Sequence, residues 1–269
     1  MKIAFIGGGN MGEAILAALL DKGLSSPQDI SVGDISQPRR QHLQQKYGVT
    51  VVADNRQALK NATVIILAIK PQNLAQVMAE LKGQLKPTQL ALSIIAGAKL
   101  KTLCQGLKHN RVVRAMPNTP AQIGEGLTIW TATQEVTARQ RKWAASILGA
   151  MGKEICVEDE KYIDMATAVS GSGPAYFFLF VEALVEAAIN IGFSREMARV
   201  LVLETMLGAG HLIQKSGQEP SELRRMVTSP GGTTAEALLE FEKGKFSDLV
   251  KKAISAAYRR ARILGGEQP

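Results

Sequence analysis

The residues that most restrict the fold are Gly7-Gly8-Gly9-Asn10-Met11-Gly12, a G-x-G-x-x-G run lying between the apolar stretch 3–6 and a segment of helical composition, 13–21. After a strand and at the start of a helix, this spacing is the fingerprint of a dinucleotide site. Gly7 permits the tight turn, Gly9 lets a pyrophosphate approach the backbone, and Gly12 lets the helix pack closely on the strand. The helix start then offers free N–H groups and a positive dipole end to the phosphates. An ordinary glycine turn would share the composition, so the context decides. Short apolar runs at 3–6, 30–33, 64–69, 90–95 and 112–115 alternate with helical segments at 13–21, 39–47, 73–81 and 100–107. That is the rhythm of a doubly wound parallel sheet, with 126–130 and 154–157 as two further strands. The run 64–69 is apolar on both faces, as in a central strand covered on both sides.

After about Glu158 the strand signal stops, and helices broken by Gly and Pro take over. The chain therefore reads as α/β, with a dinucleotide-binding domain over 1–158 and an all-α domain over 159–269. The segment 175–191, led by Pro174, is apolar nearly all round, which calls for burial in a helical core or an oligomer interface. A further helix is expected over about 195–214. The last one, over 246–264, follows the i, i+3, i+4, i+7 template throughout.

The formal charge of +8 raises the question of nucleic acid. Residues 1–157 hold 19 Lys/Arg against 9 Asp/Glu, whereas residues 158–269 hold 13 against 15. The excess is scattered rather than clustered, and only 5% of residues are aromatic, so stacking platforms for bases are scarce. A small anionic ligand fits better than a polynucleotide. No apolar run reaches the ~18 residues of a membrane span, and the start lacks a signal-peptide pattern, so a cytoplasmic protein is expected. Cys104 and Cys156 form no CxxC pair and are read as buried thiols. His42, His109 and His211 lack metal spacing and are read as surface or helix-end groups; no metal site is expected.

Asp34 follows Gly12 by 22 residues, close to the ~20 at which an acidic side chain meets the adenine ribose hydroxyls in an NAD site. Ser36, Arg39 and Arg40 lie just beyond and have the chemistry to take a 2′-phosphate. NADPH and NADH both stay open.

Two later loops are too rich in glycine for simple connections: Ser170-Gly171-Ser172-Gly173-Pro174-Ala175-Tyr176 and Ser229-Pro230-Gly231-Gly232-Thr233-Thr234. Together with the glycine loop, Ala68-Ile69-Lys70-Pro71 and Arg114-Ala115-Met116-Pro117-Asn118-Thr119-Pro120, they make the chain resemble the pyrroline-5-carboxylate reductase family, in order and over nearly its whole length. The resemblance implies an N-terminal Rossmann-type domain, then a helical dimerisation domain forming a homodimer, with higher assembly such as a decamer. It implies reduction of 1-pyrroline-5-carboxylate to L-proline by a nicotinamide cofactor, in the last step of proline biosynthesis. It also implies cofactor contacts from the glycine loop with Ile6, from Asn55, from Ala68, Ile69, Lys70 and Pro71, and from Ile94, Ile95 and Ala96. The substrate is implied near Ser229, Gly231, Gly232, Thr233 and Thr234, on a loop drawn from the partner subunit. Asp34 stands where NADPH-preferring members tend to carry a small neutral residue. Met226 replaces a polar residue that some members use toward the cofactor, and that contact is not carried over.

Read from the residues themselves, Thr233 to Glu236 has the spacing of a capping box ahead of an apolar run, which leaves Thr234 with a spare hydroxyl. Gly231 and Gly232 let successive N–H groups face one concavity, a seat for a carboxylate. Thr234 is then expected to hydrogen-bond the ring nitrogen of a cyclic imine. Asp159, Glu160 and Asp164 either border the site or form a solvated helix start. Lys70 reads as a strand-end loop residue beside the cofactor. Two other readings compete: a β-hydroxyacid or phosphogluconate-type dehydrogenase, whose lysine base has no matching motif at Lys161 or Lys215, and a dinucleotide sensor without turnover, which needs no Gly-Gly-Thr-Thr loop.

Overall fold

Every second residue of the strand Ile3–Ile6 (β1) enters one hydrophobic cluster and the others enter a second, so the strand is covered on both faces. The same alternation holds in Val64–Leu67 (β4). The computed structural model of the chain describes residues 1–266, and its sheet has eight strands. The others are Ile30–Gly33 (β2), Thr50–Val52 (β3), Leu90–Ser93 (β5), Val112–Met116 (β6), Gly126–Ala132 (β7) and Gly152–Cys156 (β8). Their order is β3-β2-β1-β4-β5-β6-β7-β8. The direction of winding reverses between β1 and β4, which opens a crevice at their carboxyl ends.

Helices Asn10–Asp21 (α1), Gln37–Tyr47 (α2) and, later, Ala138–Gly149 (α6) supply Ile15, Leu16, Leu19, Leu43, Ile147 and Leu148 to one cluster. Helices Asn55–Ala58 (α3), Leu74–Leu81 (α4) and Leu100–Leu107 (α5) supply Ala58, Val77, Leu81, Leu103 and Leu107 to the other. Each fully buried Leu or Ile is worth about 1.5–3 kcal/mol of transfer free energy, which is why these helix faces stay on the sheet.

Three features depart from the sequence expectation. The edge strand β3 was not anticipated, because it is only three residues long and incompletely buried. The pairing of β6 with β7 is antiparallel, so the sheet is parallel except at that one ladder. Residues 68–69 leave the strand expected over 64–69, since Lys70 precedes Pro71 and the chain turns there into a short 3₁₀ turn, Pro71–Asn73.

The chain separates into two compact units, one comprising residues 1–174 and the end of the last helix from Ala256, the other Ala175–Ser255. In the first, Lys161–Ala166 (α7) runs through a π-helical stretch, Thr167–Gly171, into Gly173–Asn190 (α8), whose remainder belongs to the second. This helical run of 30 residues passes a test of length and composition for a membrane span, but charged residues interrupt it, so it holds no unbroken apolar run of ~18 residues. It carries the charged Lys161, Asp164, Glu182 and Glu186.

The second unit holds most of α8 with Arg195–Ser216 (α9), Pro220–Met226 (α10), Thr233–Lys243 (α11) and the first half of Phe246–Leu264 (α12). Phe180, Phe241 and Phe246 form a ring cluster, with centroids 5.5–6.4 Å apart. The helix α8 is partly buried in its own chain, through Val185 and through Phe180 in the ring cluster. Phe177, Phe178 and Leu179, by contrast, are 63–67% exposed and form an apolar patch.

Candidate active site

Gly7 adopts φ +95°, and a Cβ there would come within 2.7 Å of the Ala68 carbonyl oxygen, so only glycine lets β1 turn this close to the loop after β4. A Cβ on Gly12 would strike the Gly7 carbonyl at 2.7 Å, which keeps α1 tight against the turn. Gly9 is different: its Cβ would meet nothing within 4 Å. The space above it is open, and Gly9 caps α1 without any side chain, so the N–H groups of Asn10, Met11 and Gly12 have no intrahelical partner. The fit to a pyrophosphate is good, for a Cβ at Gly9 would intrude where the anion must approach these donors.

Beside the loop lies a cavity of about 370 Å³. Of the residues assigned to the cofactor from sequence, Gly7, Gly9, Asp34, Ser36, Asn55, Ala68, Ile69 and Lys70 line it. Gly33, Ile35, Asn73, Gln76, Val77 and Glu80 line it too and were missed; for Gln76 and Glu80 the reason is that the apolar period of α4 at Val77 and Leu81 identifies the core face and not what the other face borders. Asn55 is buried, packs against Gly33, and donates through Nδ2 to Glu80 Oε2 at 2.9 Å. Ile6, Gly8, Asn10, Met11, Gly12, Arg39, Pro71, Ile94, Ile95 and Ala96 are not among the cavity's lining residues. Ile6 and Ile95 are core side chains, so either could meet a ligand only through its backbone.

Asp34 is committed in two directions. Its Oδ2 accepts the Gly8 N–H and its Oδ1 accepts the Ser36 N–H, both at 2.8 Å. Ser36 caps α2 by accepting the Arg39 N–H. The Arg39 side chain donates to the Gly8 carbonyl and to the Glu13 carboxylate, while Arg40 donates to the Asp34 carbonyl at 2.6 Å. Glu13 also takes His42, Lys46 and Tyr47 at 3.2, 3.0 and 2.8 Å. Burial pushes its carboxyl upward, but the hydrogen bonds from Lys46, Tyr47, His42 and Arg39 outweigh that and hold it at about 2. The Arg39 guanidinium is thus used to fix the glycine loop to α1.

In the second loop, Ser229-Pro230-Gly231-Gly232 is a turn closed by the Gly232 N–H on the Ser229 carbonyl at 3.0 Å. Proline in second place and Gly231 at φ +68° in third are the signature of type II. The capping-box expectation fails here. Gly232 is the N-cap of α11, without a side-chain cap, and Thr233 is already the first helical residue. Because the turn uses the Gly232 N–H, the donors available at the helix start are those of Thr233, Thr234 and Ala235, not a Gly-Gly pair. Thr234 is half-buried, and its hydroxyl has no hydrogen-bond partner among the described residues.

A buried ion cluster was not foreseen. Arg114 on β6 bonds Glu160 at 2.8 Å and Asp164 at 2.6 Å, and Lys99 bonds Asp164 at 2.8 Å. Asp164 is therefore neither solvated nor a helix-start cap, while Asp159 is exposed and pairs with Lys161 at 2.8 Å. His109 is also buried rather than at the surface. Its Nε2 meets the Gln89 carbonyl at 2.8 Å, and burial pushes its pKa down. Cys156 is exposed and Cys104 half-buried, so the expected burial of both thiols is corrected. Among the described residues no three His, Cys, Asp or Glu side chains gather as a metal site would require.

Residues 160–264 match the sequence profile of pyrroline-5-carboxylate reductase dimerisation, and residues 2–97 match that of the coenzyme F420-dependent NADP oxidoreductases. A pyrroline-5-carboxylate reductase of Synechocystis sp. is 40% identical over 265 residues, 98% of each chain. One of Vibrio alginolyticus is 43% identical over 262 residues, covering 97% of this chain and 96% of the other. Among solved structures, the reductase of Coxiella burnetii superposes with a TM-score of 0.88 at 40% identity, and that of Plasmodium falciparum, with NADP bound, with 0.90 at 30% identity. Each comparison covers 98% of both chains.

Proposed function

This chain belongs to the pyrroline-5-carboxylate reductase family, and from that premise we propose how its residues carry out the reduction. The enzyme reduces the cyclic imine 1-pyrroline-5-carboxylate to L-proline in proline biosynthesis, with NADPH or NADH as reductant. The observation that carries the reading is the open Gly9 cradle at the start of α1, in a chain that matches the family from end to end.

When bound, a reduced nicotinamide supplies the hydride that the imine carbon accepts. The chain's own task is to hold the reactants. The N–H groups of Asn10 to Gly12 bind the pyrophosphate, and Asp34, Ser36 and Asn55 frame the adenosine ribose. Lys70 and the backbone of Ile94 to Ala96 border the nicotinamide side. The substrate carboxylate sits on the donors of Thr233, Thr234 and Ala235, with Ser229, Gly231 and Gly232 shaping the turn ahead of them. Protonation of the ring nitrogen already makes its carbon electrophilic, so orientation supplies most of the catalysis. The Thr234 hydroxyl hydrogen-bonds that nitrogen and keeps its proton in place as the carbon takes the hydride.

The chain carries a dimerisation domain. We place it in a homodimer joined through the helices of residues 159–269, with a larger ring such as a decamer built from dimers, and with the Ser229–Thr234 loop completing the partner's site. The exposed Phe177, Phe178 and Leu179 support this reading. We place the enzyme in the cytoplasm.

The test is steady-state loss of nicotinamide absorbance with 1-pyrroline-5-carboxylate and either NADPH or NADH. Turnover is expected with at least one. Tight dinucleotide binding without turnover of either would refute the reductase reading.

A further inference from the structure

Arg114 is 1% exposed and is the bulkiest of the fully buried side chains. Its Nη1 donates to Glu160 Oε1 and its Nη2 to Asp164 Oδ1. The second oxygen of Asp164 accepts from Lys99 Nζ at 2.8 Å, and the same Glu160 oxygen accepts the Leu100 N–H at 2.7 Å. Within this quartet Arg114 and Asp164 are buried, which is expensive, while Lys99 and Glu160 stay partly exposed, and the Arg114 Nε has no partner among the described residues. Replacing a buried ion pair by an apolar set of similar volume is often neutral or stabilising, so the Arg114–Asp164 pair is weak evidence for a purely stabilising role.

Its geometry suggests another use. The quartet ties together three segments far apart in the chain: β6, the start of α5 at Lys99 and Leu100, and α7. The loop of residues 94–99 that leads into α5 leaves the carboxyl end of β5, on the same edge of the sheet as the glycine loop, because β1, β4 and β5 are parallel. Beyond α7 comes the π-helical stretch, closed by the Ser172 N–H on the Thr167 carbonyl at 2.8 Å, and it opens into the glycine-rich start of α8. Met116 lies two residues beyond Arg114 on the same face of β6 and packs where a Cβ on Gly171 would come within 2.9 Å. Arg114 and Met116, on one face of β6, therefore hold α7 through ions and the π-turn through packing, and α7 in turn holds the start of α5 through Asp164 on Lys99 and Glu160 on the Leu100 N–H.

We propose that Arg114 is a positioning residue, which acts through Glu160, Asp164 and Lys99 to hold loop 94–99 and the π-turn 167–171 in fixed relation, so that the nicotinamide side of the site keeps its reacting geometry. This rests on the reductase reading. A misplacement of about 1 Å in such a site lowers turnover by about 10²-fold.

The experiment compares the parent chain with Arg114→Met, Arg114→Lys and Lys99→Met, each in its native assembly. Four quantities are measured: kcat, KM for the dinucleotide, affinity for ADP-ribose, which occupies only the adenine half, and backbone hydrogen exchange. For Arg114→Met the expected result is a kcat about 10²-fold lower with ADP-ribose affinity within about twofold of the parent. Arg114→Lys keeps one of the two contacts and recovers part of the loss. Faster exchange is expected in 94–100 and 161–172 but not in 1–52. A kcat within threefold of the parent overturns the proposal, and so does an equal loss of ADP-ribose affinity, which would mark a general structural defect. Should Arg114→Met fail to fold, Lys99→Met decides, since the Lys99 side chain is partly exposed and its loss removes the ion pair to Asp164. There a several-fold lower kcat with intact ADP-ribose affinity supports the role, and an unchanged kcat overturns it. Failure of the parent to turn over would refute the reductase reading instead. In that event the exchange experiment still decides, because unchanged exchange in both segments overturns the positioning role.

Discussion

Replacing Glu13 by Gln removes the carboxylate that gathers Arg39, His42, Lys46 and Tyr47 between α1 and α2. The folded carboxyl is held at about 2 against an ordinary 4.5, and at about 1.4 kcal/mol for each pH unit this difference corresponds to about 3 kcal/mol. Lys46 and His42 are half exposed, so solvent screening brings the expected loss nearer 2 kcal/mol. The sign follows from the direction of the shift. A depressed carboxyl stabilises the fold fully above 4.5, and the contribution fades as pH falls toward about 2. The assay is urea unfolding of parent and Glu13→Gln at one protein concentration, at neutral pH and near pH 2.5. The midpoints should differ clearly at neutral pH and converge in acid. Equal midpoints at neutral pH, or a gap that persists undiminished in acid, would refute the reasoning.

Gly7→Ala forces a side chain into φ +95° against the Ala68 carbonyl and should lose on the order of 1–3 kcal/mol in chemical unfolding. Gly9→Ala meets open space instead, so it should unfold like the parent yet bind dinucleotide about 10–100-fold more weakly in titration calorimetry; unaltered affinity would contradict the cradle. Thr234→Ala should lower kcat by about 10²–10⁴ with dinucleotide affinity preserved, and activity within twofold of the parent would remove Thr234 from the chemistry. Asp34→Ser should raise the ratio of kcat/KM for NADPH over NADH by about tenfold, since it removes a carboxylate that would repel a 2′-phosphate; an unmoved ratio would assign cofactor choice to other residues.

The glycine loop and the core strands were legible in the sequence because each rests on a local cause, whether a turn that only glycine can make or a run apolar on both faces. Where the cause was distant, reading failed. Nothing near Arg114 indicates that its partners lie 46 and 50 residues further along, and an arginine in an apolar strand reads as an anomaly until α7 is folded against it. The capping box failed for a subtler reason. Its spacing is present, but the type II turn ends at Gly232 and draws Thr233 one position into the helix, so the competition between two local motifs decided the cap. Glu80 reaches the candidate site from α4, where the apolar period at Val77 and Leu81 identifies only the face turned to the core.

The apolar residues left uncovered along α8 and α9, among them Phe177, Phe178, Leu179 and Val200, have a consequence for the life of the chain after synthesis. On the homodimer proposed above, a freshly made copy presents an adhesive surface until its partner copy arrives. Its survival is then a race between encounter with its own kind and capture by chaperones, proteases or aggregates, and the outcome depends on how much of the protein the cell makes. Dilution of the purified enzyme should therefore erode specific activity over time, and a weakly expressed gene would lose more of its product than proportion predicts.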